Sequence, residues 1–310
     1  MPELPEVQTT VNGINRYLKG LVIRDVWTNY KSPHHKGKDN IKDPKFFRKF
    51  KKEVVGKKII DAERRAKNVI INLSGGSVIL VHMKMTGHLL YGAYKRNPKS
   101  KARNPKQEEW VARWAGTPLS DPFNRFIRFV IMLSNGKCLA LSDMRRFAKI
   151  THIHKDELAT TLHLDKLGPE PLAKNFDAKI FRFRLALRPN MKIKQALMNQ
   201  SLISGIGNIY SDELLWRAGI HPVRKVKSIK PEEFKKIYRA MRTVLKAGID
   251  FGGDSMSDYR NILGKRGRFQ ERHNAYRRTG QKCRRPGCNG IIRRIIVGAR
   301  SAHFCDKHQK

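Results

Sequence analysis

Acidic residues are scarce in this chain. It has 26 Asp and Glu against 65 Lys and Arg over 310 residues, a formal net charge of +39. Such a balance points to a polyanionic partner, because each cation set on a phosphate releases a condensed counterion. Nucleic acid is the first candidate and an anionic membrane surface the second. Long apolar runs are also missing, which excludes a transmembrane helix of the usual length. The N-terminus lacks the basic and apolar regions of a signal peptide, so a cytoplasmic location is expected, or a nuclear one. No internal repeat is present. Hydrophobic residues still make up 40% of the chain, enough for packed cores, which excludes a disordered polymer. Cysteine is rare too: four residues, three of them in the last 28.

The length suggests more than one domain. Val7, Val11, Ile14 and Leu18 recur at helical spacing, so an amphipathic helix follows the N-terminus directly. From about residue 21 to 150 the pattern changes to short β-branched strands: LVIRDVWTN, KKIIDAERRA, NVIINLS, SVILVHMKM, RFIRFVIML and KCLALSD. Strands of this kind punctuated by Gly, Asn and Ser predict a β-sandwich. Cys138 falls in the last of them and reads as a small buried hydrophobe. Two basic stretches interrupt the strands, one running from residue 34 and one over 94–106; the second reads either as a mobile loop with nonspecific phosphate affinity or as a plain solvated loop.

Residues 151–172 read as a linker ending in LGPEPL. Helical patterns follow: KIKQALMN, then NIYSDELLWRAG ending at Gly219, then a longer helix after Pro231 with Gly248 past its end. Between the first two lies QSLISGIG. A glycine-rich turn opening a helix presents backbone N–H groups that suit phosphate, and Asn208 sits there. FGGDSMSDYRNILGKRGRFQ reads as a flexible loop. The C-terminus carries Cys283-x4-Cys288, sixteen further residues, then Cys305-x2-His308. Two close pairs of soft ligands around a hairpin-length insert suit one structural, tetrahedral zinc. Arg300 falls at or near the hairpin tip.

Seven stretches appear in one order: PELPEV at the N-terminus, HMKMTGHL at 82–89, SDMRRFAK at 142–149, LGPEPL at 167–172, GIGNIYSDELLWRAGIHP at 205–222, GGDSMSDYRN at 252–261, and the terminal Cys-Cys-Cys-His finger. Together they resemble the formamidopyrimidine-DNA glycosylase / endonuclease VIII family of base-excision repair enzymes, over nearly the whole chain. The resemblance implies an α+β multidomain protein. A β-sandwich catalytic domain with flanking helices would span 1–150, a helix-two-turn-helix domain 173–272 and a zinc finger 273–310. The partner would be double-stranded DNA with a damaged base or abasic site, bound by a monomer in the cleft between domains.

The resemblance also implies roles. With Met1 removed, Pro2 becomes a secondary amine that attacks the sugar C1′; an α-amine has a reference pKa of about 7.7–8.0 and is partly neutral near pH 7. The iminium it forms drives β,δ-elimination. Glu3 would move protons as the sugar ring opens, and Lys67 would lie near the phosphate flanking the lesion. Glu6 would be a further active-site acid that contacts the flipped nucleotide, or would order the terminus, and Glu213 matches an active-site acid on the helical domain. Met85, Arg145 and Phe147 match residues that fill the gap left by an extruded base. Asn208 and Arg300 match phosphate ligands. The segment GGDSMSDYRN resembles the loop that closes over a purine in the formamidopyrimidine branch, which favours 8-oxoguanine and formamidopyrimidines. Oxidised pyrimidines are the first alternative, and a noncatalytic DNA-binding relative the second. The chain departs from the family pattern at His308 in place of Cys, in the wider first cysteine pair, at Ala148 in place of Gly, in the tip ARSAHF, and in the inserted 94–106 segment.

Overall fold

The computed structural model describes residues 1–30, 33–97, 109–158, 160 and 164–310. The chain divides into two compact units: Met1–Thr161 with Gly252–Arg268, and Leu162–Phe251 with Phe269–Lys310. Most of the basic 94–106 segment lies outside the described residues.

The first unit opens with helix α1, Leu4–Tyr17, whose buried face carries Leu4, Val7, Val11 and Ile14. Strand β1 is Ile23–Thr28 and helix α2 is Pro44–Val54. Strands β2 (Ile59–Arg65), β3 (Asn68–Leu73), β4 (Ser77–His82), β5 (His88–Gly92), β6 (Tyr94–Arg96), β7 (Trp110–Ala112), β8 (Ile127–Leu133), β9 (Cys138–Ser142) and β10 (Lys149–His154) follow. Two four-stranded sheets form, ordered β1-β8-β9-β5 and β10-β4-β3-β2, with a separate β6-β7 ribbon. Neighbours in both four-stranded sheets pair antiparallel. Val69, Ile71, Ile79 and Val81 of one sheet share a core with Phe129, Ile131, Leu139 and Leu141 of the other, and with Val7, Val11 and Ile14 of α1. This is the expected sandwich. Cys138 is buried in it, and burial pushes its thiol up to about 11, so it behaves as an inert hydrophobe.

Helix α2 was hidden in the first basic stretch. Its start is written locally: Asp43 caps it by accepting from the Phe46 amide and Pro44 occupies the first turn. Phe50 and Val54 anchor it while its many lysines face water. Strand β10 extends to His154, into the stretch assigned to the linker, because Lys149–His154 pair with Ser77–His82.

The second unit holds helices α3 (Ala178–Ala186), α4 (Ile193–Met198), α5 (Asn208–Ala218) and α6 (Pro231–Asp250), then the antiparallel hairpin of β11 (Ile292–Val297) and β12 (Arg300–Cys305). Helix α5 ends at Gly219 in the left-handed region, φ 74°, where a Cβ would add strain. Helix α6 runs on through a buried Gly248 and does not stop before it.

The segment Gly252–Arg268 departs most from its sequence reading. It falls inside the 173–272 stretch assigned to the helical domain and was read as flexible. It packs instead in the first unit, with Gly253, Asp254, Ser255, Tyr259, Arg260 and Ile262 buried. Its glycine-rich composition conceals this because its partners lie far away along the chain.

Candidate functional site

In the first unit the N-terminus is held rigidly. Pro2 and Glu3 are buried while Met1 is exposed. Glu3 and Glu6 form a capping box at the start of α1, in which the Glu6 carboxylate accepts from the Glu3 amide at 2.7 Å. The other Glu6 oxygen accepts from the Asp254 amide at 2.7 Å, and the Tyr259 hydroxyl donates to the Glu6 carbonyl at 3.0 Å. Glu6 thus ties the N-terminus to the returning segment. Gly253 is needed there, because a Cβ would stand 2.9 Å from the Glu6 side chain and its φ is +84°. Helix α1 is also tied to β2: Asn15 donates to the Ala62 carbonyl at 2.8 Å and accepts from the Ala62 amide at 2.6 Å. Lys67 is buried in the tight turn joining β2 to β3, after Ala66 at φ 55°, and not within a strand.

Two loops of the same unit carry the apolar and aromatic candidates. One follows β4 and holds Met85; the other follows β9 and holds Arg145 and Phe147. Phe147 is 48% exposed and the Arg145 guanidinium lies 4.7 Å from its ring centre, so this Phe is not a core residue. A cavity of about 610 Å³ is lined by Met1, Met85, Arg145 and Phe147 together with Tyr30 and Lys42. Met1, the residue before Pro2, therefore meets the two loops in one cavity.

Sequence reasoning missed what holds these loops. Asp143 is fully buried. It accepts from the Thr86 hydroxyl at 2.6 Å, the Tyr30 hydroxyl at 2.7 Å and the Ala148 amide at 2.8 Å. Thr86 in turn accepts from the Arg145 amide at 3.0 Å, and the Lys42 ammonium donates to the Arg146 carbonyl at 2.7 Å. Lys84 and Arg146 adopt φ of 55° and 58°, so each loop stores strain that this network offsets. Burial, then the Asp143 charge, holds the Tyr30 hydroxyl well above its usual range. The only sequence signal was an acid two residues before Arg145, in an otherwise basic motif.

In the second unit, Asn208 opens α5 after the glycine-rich turn. Arg300 is exposed and pairs with Val297 across the Gly298–Ala299 turn, at the hairpin tip as expected. Lys194 and Asp212 form a fully buried ion pair, and Asp212 also accepts from the His303 amide at 3.0 Å. That acid therefore joins α4, α5 and β12. Glu213 is buried with both oxygens engaged: one accepts from the Ala275 and Tyr276 amides at 2.9 and 2.8 Å, the other from the Asn274 amide at 2.8 Å. The geometry gives it a bracing role for the chain entering the finger.

Cys283, Cys288, Cys305 and His308 converge, with all their ligand atoms within 4.8 Å of one another. The Cys288–Cys305 sulfurs are 3.6 Å apart, and His308 Nδ1 lies 3.3 Å from Cys283 Sγ and 3.9 Å from Cys288 Sγ. A tetrahedral ion with metal–sulfur bonds of about 2.3 Å needs sulfur–sulfur edges of about 3.8 Å, so the donor set fits a metal ion. His308 Nε2 lies 3.0 Å from the Trp216 carbonyl, which leaves Nδ1 to face the sulfurs.

Comparison with known proteins places this geometry. The sequence profile of the formamidopyrimidine-DNA glycosylase N-terminal domain matches residues 1–150, and that of the formamidopyrimidine-DNA glycosylase H2TH domain matches 167–260. Formamidopyrimidine-DNA glycosylase of Heliobacterium modesticaldum is 33% identical over all of both chains. That of Pelotomaculum thermopropionicum is 34% identical over 100% of this chain and 99% of its own. Among solved structures, Lactococcus lactis Fpg in complex with DNA containing an abasic site superposes with a TM-score of 0.81 at 28% identity, covering 99% of each chain. The wild-type Lactococcus lactis protein with DNA containing an oxidized pyrimidine gives 0.80 at 28% identity over all of both chains. No helix among the described residues is long and apolar enough to cross a membrane.

Proposed function

The chain belongs to the formamidopyrimidine-DNA glycosylase family, and we propose on that footing that it is a bifunctional DNA glycosylase and abasic-site lyase of base-excision repair. One observation carries the proposal most: Met1, whose carbonyl carbon is bonded to the Pro2 nitrogen, lines one cavity with Met85, Arg145 and Phe147, and the Glu3–Glu6 pair fixes the terminus.

In this reading, removal of Met1 exposes the Pro2 nitrogen. Its lone pair attacks C1′ of the damaged nucleotide, and the glycosidic bond breaks with its electron pair leaving on the base, which takes up a proton. The ring opens to an iminium as Glu3 delivers a proton to the ring oxygen. The cation acidifies the 2′ hydrogen; loss of that proton expels the 3′ phosphate, and a second elimination expels the 5′ phosphate. Lys67 sits on the flanking phosphate. Met85 and Phe147 replace the lost stacking and Arg145 reads the estranged base. Asn208 at the start of α5 and Arg300 at the hairpin tip take backbone phosphates. Zinc is the ion that suits a Cys₃His set, in a structural role because four protein ligands fill its shell. Oxidised purines are the proposed substrates. The oxidised-pyrimidine complex of the Lactococcus lactis relative makes those lesions the natural second substrate to assay.

Borohydride trapping tests this. Processed protein is mixed with duplex DNA carrying 8-oxoguanine opposite cytosine, or an abasic site. A covalent complex on both supports the whole reading. Protein retaining Met1 should trap on neither, and Pro2→Gly should trap weakly through its primary amine. Tight DNA binding by processed protein with no trapping on either substrate would leave only a DNA-binding scaffold.

A further inference from the structure

The segment Gly252–Arg268 is clamped at two points, Asp254 and Arg260. At the first, the Glu6 carboxylate accepts from both the Glu3 and Asp254 amides, so a single side chain separates the segment from the N-terminus. At the second stands Arg260, only 3% exposed. Its guanidinium donates to the Asp121 carboxylate at 3.1 and 3.3 Å and to the Ser257 and Tyr259 carbonyls at 2.9 Å each. It also lies 4.6 Å from the Phe123 ring centre. Nearly all its donors are used, as a buried guanidinium requires.

The stretch between β7 and β8 provides the seat. Gly264 lies so close to it that a Cβ would stand 2.7 Å from the Pro118 carbonyl oxygen. Asn124 donates to the Pro118 and Gly264 carbonyls at 2.8 and 3.3 Å, and the Tyr91 amide donates to the Ile262 carbonyl at 2.6 Å. Between the clamps, Met256 and Ser257 are exposed and Asp258 is half-buried, forming a short tip with buried residues on both flanks.

We propose that Arg260, clasped by Asp121 and Phe123, is a positioning residue for base recognition. It holds the Met256–Asp258 tip where that tip meets the base of a nucleotide whose C1′ lies at Pro2. The inference rests on the proposed role of Pro2. Because the tip contacts the base and not the sugar, Arg260 governs base excision and leaves cleavage at a baseless sugar largely alone. The specificity of the glycosylase step is thus set in part by an ion pair whose members lie 139 residues apart.

The test uses full-length processed protein and the variants Arg260→Met and Asp121→Asn, the second being the milder. Single-turnover rates are measured on the base lesion that the unaltered protein excises fastest and on the same duplex carrying an abasic site. Amide hydrogen exchange across 255–259 is followed without DNA. The expected result is a loss of about tenfold or more in base excision, with abasic cleavage held within about twofold, and faster exchange at the tip. Asp121→Asn moves both readouts the same way by less. Equal loss on both substrates, or unchanged rates on both, overturns the proposal. If the unaltered protein cleaves neither substrate, the glycosylase reading has failed. Exchange then decides the clasp alone, and an unchanged tip overturns it.

Discussion

At the scale of single residues, Asp143 decides more than its place in a basic motif suggests. It holds both loops that carry the gap-filling candidates, through Thr86 on one side and the Ala148 amide on the other. Thr86→Val keeps the shape and removes the hydroxyl, leaving the Arg145 amide without its acceptor. The expected cost is about 1–3 kcal/mol in urea unfolding, the usual range for a buried polar group left unpaired. Fluorescence of 2-aminopurine opposite an abasic analogue should also show weaker unstacking. Lys194 belongs to the second unit and is a stability residue. Lys194→Met strands the buried Asp212 carboxylate and should cost about 3–5 kcal/mol, read as a lower urea midpoint. A midpoint unchanged from the parent protein would mean that water or His303 replaces the ammonium.

At the scale of elements, the apolar cluster around the finger's cysteines is small: Ala275, Cys283, Ile292 and Cys305, with Trp216 and Cys288 packed against it. A core this small needs a cross-link, which a metal held by the four ligands would supply. Trp216 is a built-in reporter, since its indole N–H donates to Cys283 Sγ at 3.4 Å and its ring meets His308 edge-on. Chelation of the metal should therefore change Trp fluorescence and weaken duplex binding together, because Arg300 is displayed by the hairpin. Restoring zinc should reverse both. A fluorescence change with full DNA affinity would remove the hairpin from the binding surface. Helix α2 shows how such elements escape notice. Its cap and proline were legible, but eleven residues rich in Lys and Arg resemble a solvated charge run until Phe50 is seen against Phe129.

At the scale of the whole molecule, the +39 charge governs the encounter with DNA. Affinity for any duplex should fall about a thousandfold or more between about 50 and 200 mM salt, as expected for six or more phosphates neutralised. A flat dependence, measured by fluorescence anisotropy, would show that the charge serves something else.

The sequence by itself determined the elements with a local period and the ligands with a local spacing. Short β-branched runs bounded by Gly, Asn and Ser specified the sandwich strands; β3 and β9 are buried at every position, so a continuous apolar run of strand length is their signal. The 3.6-residue spacing specified α1 and α6, and the cysteine spacing specified the finger. The motif order specified the family. Tertiary structure alone decided that Gly252–Arg268 folds back onto the first unit, because Asp121, Asn124 and Glu6 are too distant in sequence for any window to pair with it. It alone placed Lys67 in a turn, turned Glu213 toward the Asn274–Tyr276 amides, and made Asp143 the hub of two loops. In each case the partner of a polar group is fixed by three-dimensional proximity. Composition records that such a group exists, and only packing supplies the atom that satisfies it.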